Sequence, residues 1–145
     1  MAEDEPTWYW FESDLFEIEE GEDEETNPRM YGKNLSNWIR QKFIDLGYEV
    51  EEVIPEDFGW LVLCQRSPYL LGVSCVSYVD YEQMNEDDPP PKADEVTWCC
   101  MVFVEVPFFK RLFGKPDTTQ GTEKLDRELK AALDSEPSIR FVDPM

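Results

Sequence analysis

The sequence predicts an α+β two-layer sandwich, an antiparallel sheet of about 4–6 strands with two helices packed on one face. Three observations lead there. Segments rich in β-branched and aromatic residues follow one another through short turns, as in an antiparallel meander. Two other segments space their apolar residues by three and four, as helices do. One of these helical segments separates the first strand from the rest, and the other precedes a last short strand. At 145 residues the chain suits a single domain, residues 1–145. Its 41% apolar content includes five Trp, six Tyr and nine Phe, enough for a packed core despite the charge.

The first strand is Thr7-Trp8-Tyr9-Trp10-Phe11. Two placements stand open for Trp8, Tyr9 and Trp10: paired into the sheet, or exposed as an anchor. Asn27-Pro28 suits a helix start, since Asn caps well and Pro lacks only an N–H that would go unpaired. Tyr31, Leu35, Trp38, Ile39, Phe43 and Leu46 then trace one face, and Gly47 fits a left-handed terminator. On that reading Trp38→Ala costs roughly 3–5 kcal/mol. Tyr48 to Val53 reads as a short strand, with a turn at Pro55-Glu56-Asp57. Phe58 to Gln65 and Tyr69 to Val79 form a hairpin around Arg66-Ser67-Pro68, and Glu95 to Val106 is the last long strand. Phe108 to Phe113 reads as an amphipathic turn packed into the core, its lysines snorkelling to water. Thr122 to Leu133 is the second helix, its start not marked by a clear cap. Ile139 to Val142 adds an edge strand.

Charge is the most unusual property. The chain has 33 acidic and 13 basic residues, a net charge of −20, and no histidine. Residues 1–28 hold twelve of the acidic residues and no Lys or Arg. They form an acidic N-terminal segment containing one strand. A second acidic stretch, residues 80–94, contains Pro89-Pro90-Pro91 and reads as an exposed loop. The start, Met1-Ala2-Glu3-Asp4-Glu5-Pro6, is the opposite of a secretory signal, and no apolar run reaches bilayer length. A cytoplasmic protein with no membrane partner is expected.

Without histidine, Ser-His-Asp, Cys-His and HExxH sites cannot be built from this chain. Cys64, Cys75, Cys99 and Cys100 contain no CxxC pair. Adjacent Cys99 and Cys100 should point to opposite sheet faces, so buried reduced thiols are expected rather than zinc ligands or disulfides. Glu56 and Asp57 before Phe58-Gly59-Trp60 could form an acid against an aromatic wall, but a turn explains them as well. Glu105 could point inward as an acid, or outward as a partner of Arg111. The runs Glu20–Glu25 and Asn85–Asp88 lack the ligand spacing of a calcium loop. Lys110, Arg111 and Lys115 beside Phe108, Phe109 and Phe113 could stack a base, yet the overall charge repels phosphate. No catalytic residue, metal or cofactor is therefore expected, and no direct contact with nucleic acid.

Dense negative charge steers a positively charged partner toward the surface. The candidate partner-binding residues are Glu17, Glu19, Glu20, Glu22, Asp23, Glu24 and Glu25 in the first acidic segment. Asp80, Glu82, Glu86, Asp87 and Asp88 are those in the second. Net repulsion argues for a monomer when the chain is free. The stretches Asn27–Gly32, Ile54–Trp60 and Val106–Phe113 resemble a group of small acidic bacterial proteins to which no activity is attached. The likeness runs from about Phe16 onward and implies a bacterial source. In size, acidity and α+β make-up the chain is also similar to immunity proteins of bacterial toxin systems. That likeness implies a non-enzymatic protein that binds and inhibits a basic partner, a toxin or a nucleic-acid-handling protein. The alternatives are a nucleic-acid mimic blocking a defence complex of the CRISPR or restriction type, and an adaptor or structural subunit.

Overall fold

Alternation in the strands divides the protein into two layers. A computed structural model describes residues 7–79, 88–108, 112, 114 and 116–144. In chain order the elements are β1 (Trp8–Glu12), α1 (Lys33–Asp45), β2 (Ile54–Glu56), β3 (Gly59–Gln65), β4 (Leu70–Tyr78), β5 (Thr97–Glu105), α2 (Thr119–Asp134) and β6 (Arg140–Phe141). The six strands form one sheet in the order β2-β3-β4-β5-β1-β6, with every pairing antiparallel. β2 to β5 are the predicted meander. β1 then adds on the far side of β5, and β6 adds to β1. No helix among the described residues is long and apolar enough to cross a membrane.

Period-two alternation assigns each residue to a face. One cross-sheet row reads Trp60, Cys75, Cys100, Tyr9, and the next on the same face includes Val62, Val73 and Val102. These rows join Leu35, Ile39 and Phe43 of α1 and Leu125, Leu129 and Leu133 of α2 in one buried core. Both helices therefore cover the same face. Phe16 fills the angle between layers, edge-on to Phe11 at 6.2 Å, Trp38 at 5.4 Å and Trp98 at 6.2 Å. Gly59 (φ +145°) lets β3 approach β4 closely, since a Cβ there would lie 2.4 Å from the Cys75 carbonyl oxygen.

The helix start differs from the sequence reading. Asn27-Pro28 does not open α1; the Asn27 carbonyl accepts the Met30 N–H at 2.9 Å in a turn. Arg29 (φ 69°) and Gly32 (φ 139°) then break any continuous helix. Between them Tyr31 is buried, and its N–H donates to Ser77 Oγ at 2.8 Å. The chain is thus tied to β4 before the helix begins at Lys33. The C-terminus is as expected: Gly47 (φ 102°) donates to Ile44 O at 3.0 Å and Tyr48 to Phe43 O at 3.0 Å. This pair of bonds is a Schellman closure. Leu46, expected on the apolar face, is 54% exposed at this end.

Residues 48–53 are not a strand. Two of their carbonyls are taken by a side chain instead: Arg40 donates from Nε to Glu51 O at 2.7 Å and from Nη2 to Val50 O at 3.3 Å. The strand instead starts six residues later, at Ile54–Glu56, and Asp57-Phe58 make the turn. α2 begins at Thr119, ahead of the expected Thr122, because Asp117 Oδ1 accepts the Thr119 N–H at 2.9 Å. Phe108 is 75% exposed rather than packed in the core. Phe109, Lys110, Arg111, Phe113 and Lys115 lie outside the described residues.

Trp38 is only partly buried, with Lys42 Nζ 5.1 Å from its ring centroid. Ile39 is fully enclosed. Ile39→Ala should therefore cost about 2–5 kcal/mol, and Trp38→Ala less than the roughly 3–5 kcal/mol of an enclosed Trp. Chemical denaturation of both variants checks this; a larger loss at Trp38 would contradict the placement of α1.

Candidate interaction surface

The first acidic segment is organised around a buried carboxylate. Residues 22–24 form one turn of 3-10 helix after Gly21 (φ 85°). This turn carries Glu22 inward, to 3% exposure. Its Oε1 accepts the Glu19 N–H at 2.7 Å, and its Oε2 accepts the N–H groups of Gly32 (3.0 Å) and Lys33 (2.9 Å). The first turn of α1 contains no acidic residue of its own. Glu22 therefore supplies the negative end that the helix dipole and its orphan amides call for. Glu22 is a cap, and the expectation that it faces a partner is corrected. A buried carboxylate needs such donors, and three backbone amides provide them.

Other members of the segment follow from this anchor. Asp23 Oδ2 accepts the Arg29 N–H at 2.9 Å, so Asp23 is half-buried and also partly structural. Glu19 and Glu25 flank Lys33, at 3.9 and 3.8 Å from its Nζ. Glu17, Glu20 and Glu24 are exposed. Asn34 Nδ2 donates to Glu17 O at 2.6 Å, which holds the start of the segment against α1.

The second acidic segment lies beside the first where it is described. Asp14, Glu17 and Ile18 face Pro91, Lys92, Ala93 and Asp94 across an open groove of about 430 Å³. The hydrogen bond from Arg29 to Tyr31 is the main cause that raises the Arg29 guanidinium pKa, and the charges of Asp23 and half-buried Asp88 add to it. Asp80, Glu82, Glu86 and Asp87 lie outside the described residues. The groove has polar groups of both signs but no enclosure.

The candidate acids elsewhere do not converge. Glu56 and Asp57 are exposed at one end of β3, and the Asp57 carbonyl accepts from Asn27 Nδ2 at 2.8 Å. Glu105 is exposed on β5, opposite Leu70, near the other end of β3. Its expected alternative partner, Arg111, lies outside the described residues. All four cysteines are buried and free. Cys100 faces the helices beside Cys75, and Cys99 faces away, as adjacent strand positions require. Burial pushes the Cys64 and Cys99 thiols up to about 12, and the Cys100 thiol well above its ordinary value. Such thiols are poor nucleophiles and poor metal ligands. Among the described residues no three acidic or cysteine side chains are grouped to hold a metal ion.

The first strand resolves both placements left open for its aromatics. Tyr9 turns inward, and its hydroxyl donates to Asp126 Oδ1 at 2.9 Å; burial is the main cause that raises its pKa. Trp8 and Trp10 turn to the face without helices, where Trp8 is 44% exposed. Their rings stack at 6.1 Å, and the Trp10 ring lies 5.0 Å from that of Tyr78. Strict alternation along Trp8-Tyr9-Trp10 carried this division; only the identity of the buried face was missing. No family model, no curated protein and no solved structure matches this chain.

Two outcomes are expected. Glu22→Ala leaves the Gly32 and Lys33 amides without their acceptor and should cost about 3 kcal/mol, read by denaturant unfolding; an unchanged midpoint would remove the capping role. The folded thiols keep their protons to higher pH than unfolded ones. The native state thus binds more protons between about 9 and about 12, and stability should fall as pH rises through that window. Unfolding midpoints at pH 7, 9 and 10.5 check the sign.

Proposed function

We propose that this chain is a non-enzymatic binding protein that captures and inhibits a basic protein partner, in the manner of a toxin-neutralising immunity protein. One observation carries the reading. Glu17, Glu19, Glu20, Glu24 and Glu25 stand exposed on a short arc whose backbone is fixed by the buried Glu22. Negative charge held on a rigid frame steers a cationic partner without the entropy cost of ordering a loose tail. The net charge of −20 extends the same field around the molecule. The arc is compact, whereas a nucleic-acid mimic calls for carboxylates along an extended face at phosphate-like spacing.

Glu17, Glu20 and Glu24 take no part in the Glu22 cap, so they can be neutralised without disturbing it. Substituting all three by Gln should slow association with the partner several-fold at low salt, with little effect at high salt, and leave the unfolding midpoint within about 0.5 kcal/mol. The partner is found by a tagged pull-down from the native host, washed first at low and then at high salt. A single small basic protein, retained through the high-salt wash and bound more slowly by the triple variant, is the expected result. A large complex released by salt and displaced by DNA would replace this reading with mimicry.

A further inference from the structure

The helix-facing side of the sheet sets two of the four thiols directly opposite each other. Cys75 on β4 pairs with Cys100 on β5, and both side chains join the core under α1 and α2. Gly59 reveals the type of pairing. A Cβ there would lie 2.4 Å from the Cys75 carbonyl oxygen, so that oxygen faces β3. A strand residue turns its N–H and C=O to the same side, which leaves Cys75 without ladder bonds to β5. Cys75 and Cys100 are therefore a narrow, non-hydrogen-bonded pair, a class whose Cα atoms lie about 4.5 Å apart with side chains close together. A disulfide spans roughly 4.4–6.8 Å between Cα atoms, so the site can hold one without moving the strands. The two thiols already share a hydrogen bond. Alternation turns Cys99 to the other face, and Cys64 lies four residues along β3 from Trp60, the position opposite Cys75.

We propose that Cys75 and Cys100 are a redox pair, oxidised by a peroxide to a cross-strand disulfide that staples β4 to β5 and is reopened by a dithiol reductant. One thiolate attacks the peroxide O–O bond, which gives a sulfenic acid and releases one water. The second sulfur then displaces the hydroxyl as another water, and both thiol protons end in the two waters. Both thiols are fully buried in the closed sheet. Peroxide therefore reaches them when the strands part transiently, and that opening sets the rate. On reclosure the register returns the two sulfurs to each other ahead of any other thiol. The bond closes residues 76–99 into a ring. It restricts the unfolded chain far more than the folded one, so the oxidised state is the more stable.

The test treats the wild-type chain and the Cys99→Ala variant with hydrogen peroxide, at urea concentrations from zero to just below the unfolding transition. Peptide mapping without reductant reads the products. Both proteins should carry a link between Cys75 and Cys100, formed faster as urea rises and removed by dithiothreitol. The assignment is made on the wild type, so it does not depend on the variant folding. The oxidised wild type is then compared with the same sample reopened by dithiothreitol, which leaves any oxidised methionine common to both. The linked form should unfold at a higher urea midpoint and several-fold more slowly. A link through Cys64 or Cys99, sulfinic or sulfonic acids on separate cysteines, or thiols that stay free at every urea concentration overturns the pair. A linked form whose midpoint is equal to or below that of the reopened one overturns the staple.

Discussion

The hydrogen bonds of Glu22 fix the relation between the acidic segment and the rest of the protein. One carboxylate joins residue 19 to residues 32 and 33, across a stretch that carries most of the surrounding charge. Without it the Gly32 and Lys33 amides at the start of α1 would lose their acceptor, and the acidic segment would keep only its weaker ties through Asn34, Asp23 and Lys33. The exposed carboxylates around it and the Lys33 bridges to Glu19 and Glu25 are positioned by that contact. Repulsion among so many acids is offset locally by peptide dipoles at Glu22 and by Lys33 between Glu19 and Glu25.

The sheet was largely legible because its strands alternate or run apolar between turn residues. The meander from Phe58 to Val106, the hairpin at Arg66-Ser67-Pro68 and the terminator at Gly47 each rest on local chemistry, and local chemistry is what a sequence displays. The two-layer arrangement followed from counting amphipathic helices. The errors fall where distant groups decide. Asn27-Pro28 has the form of a helix start, but Tyr31 is drawn to Ser77, 46 residues away, and the helix waits. Residues 48–53 have strand-like side chains, but Arg40 occupies the carbonyls of Val50 and Glu51 at their centre.

The acidic candidates were legible as a group and not as individuals. Composition marks residues 17–25 as unusual, yet it treats Glu22 and Glu24 alike. The structure separates them: one is a buried cap and the other a solvated charge. A spacing rule for capping could not find Glu22, because it lies eleven residues ahead of the first residue of the helix rather than within its first turn. The division of the β1 aromatics was half-visible in the same way. Alternation splits Trp8 and Trp10 from Tyr9, but only the pairing of β1 with β5 shows which side is covered.

That pairing shapes the life of the chain before it is folded. β1 sits between β5 and β6, so its partners lie some 90 and 130 residues downstream. During synthesis Trp8-Tyr9-Trp10-Phe11 must wait, strand-forming and unpaired, until nearly the whole polypeptide has emerged. Such a segment is a template for association with other nascent chains. It is bracketed in sequence by Glu3, Asp4 and Glu5 on one side and by Glu12 and Asp14 on the other. Those charges act as gatekeepers, keeping the waiting strand solvated until its native neighbours arrive.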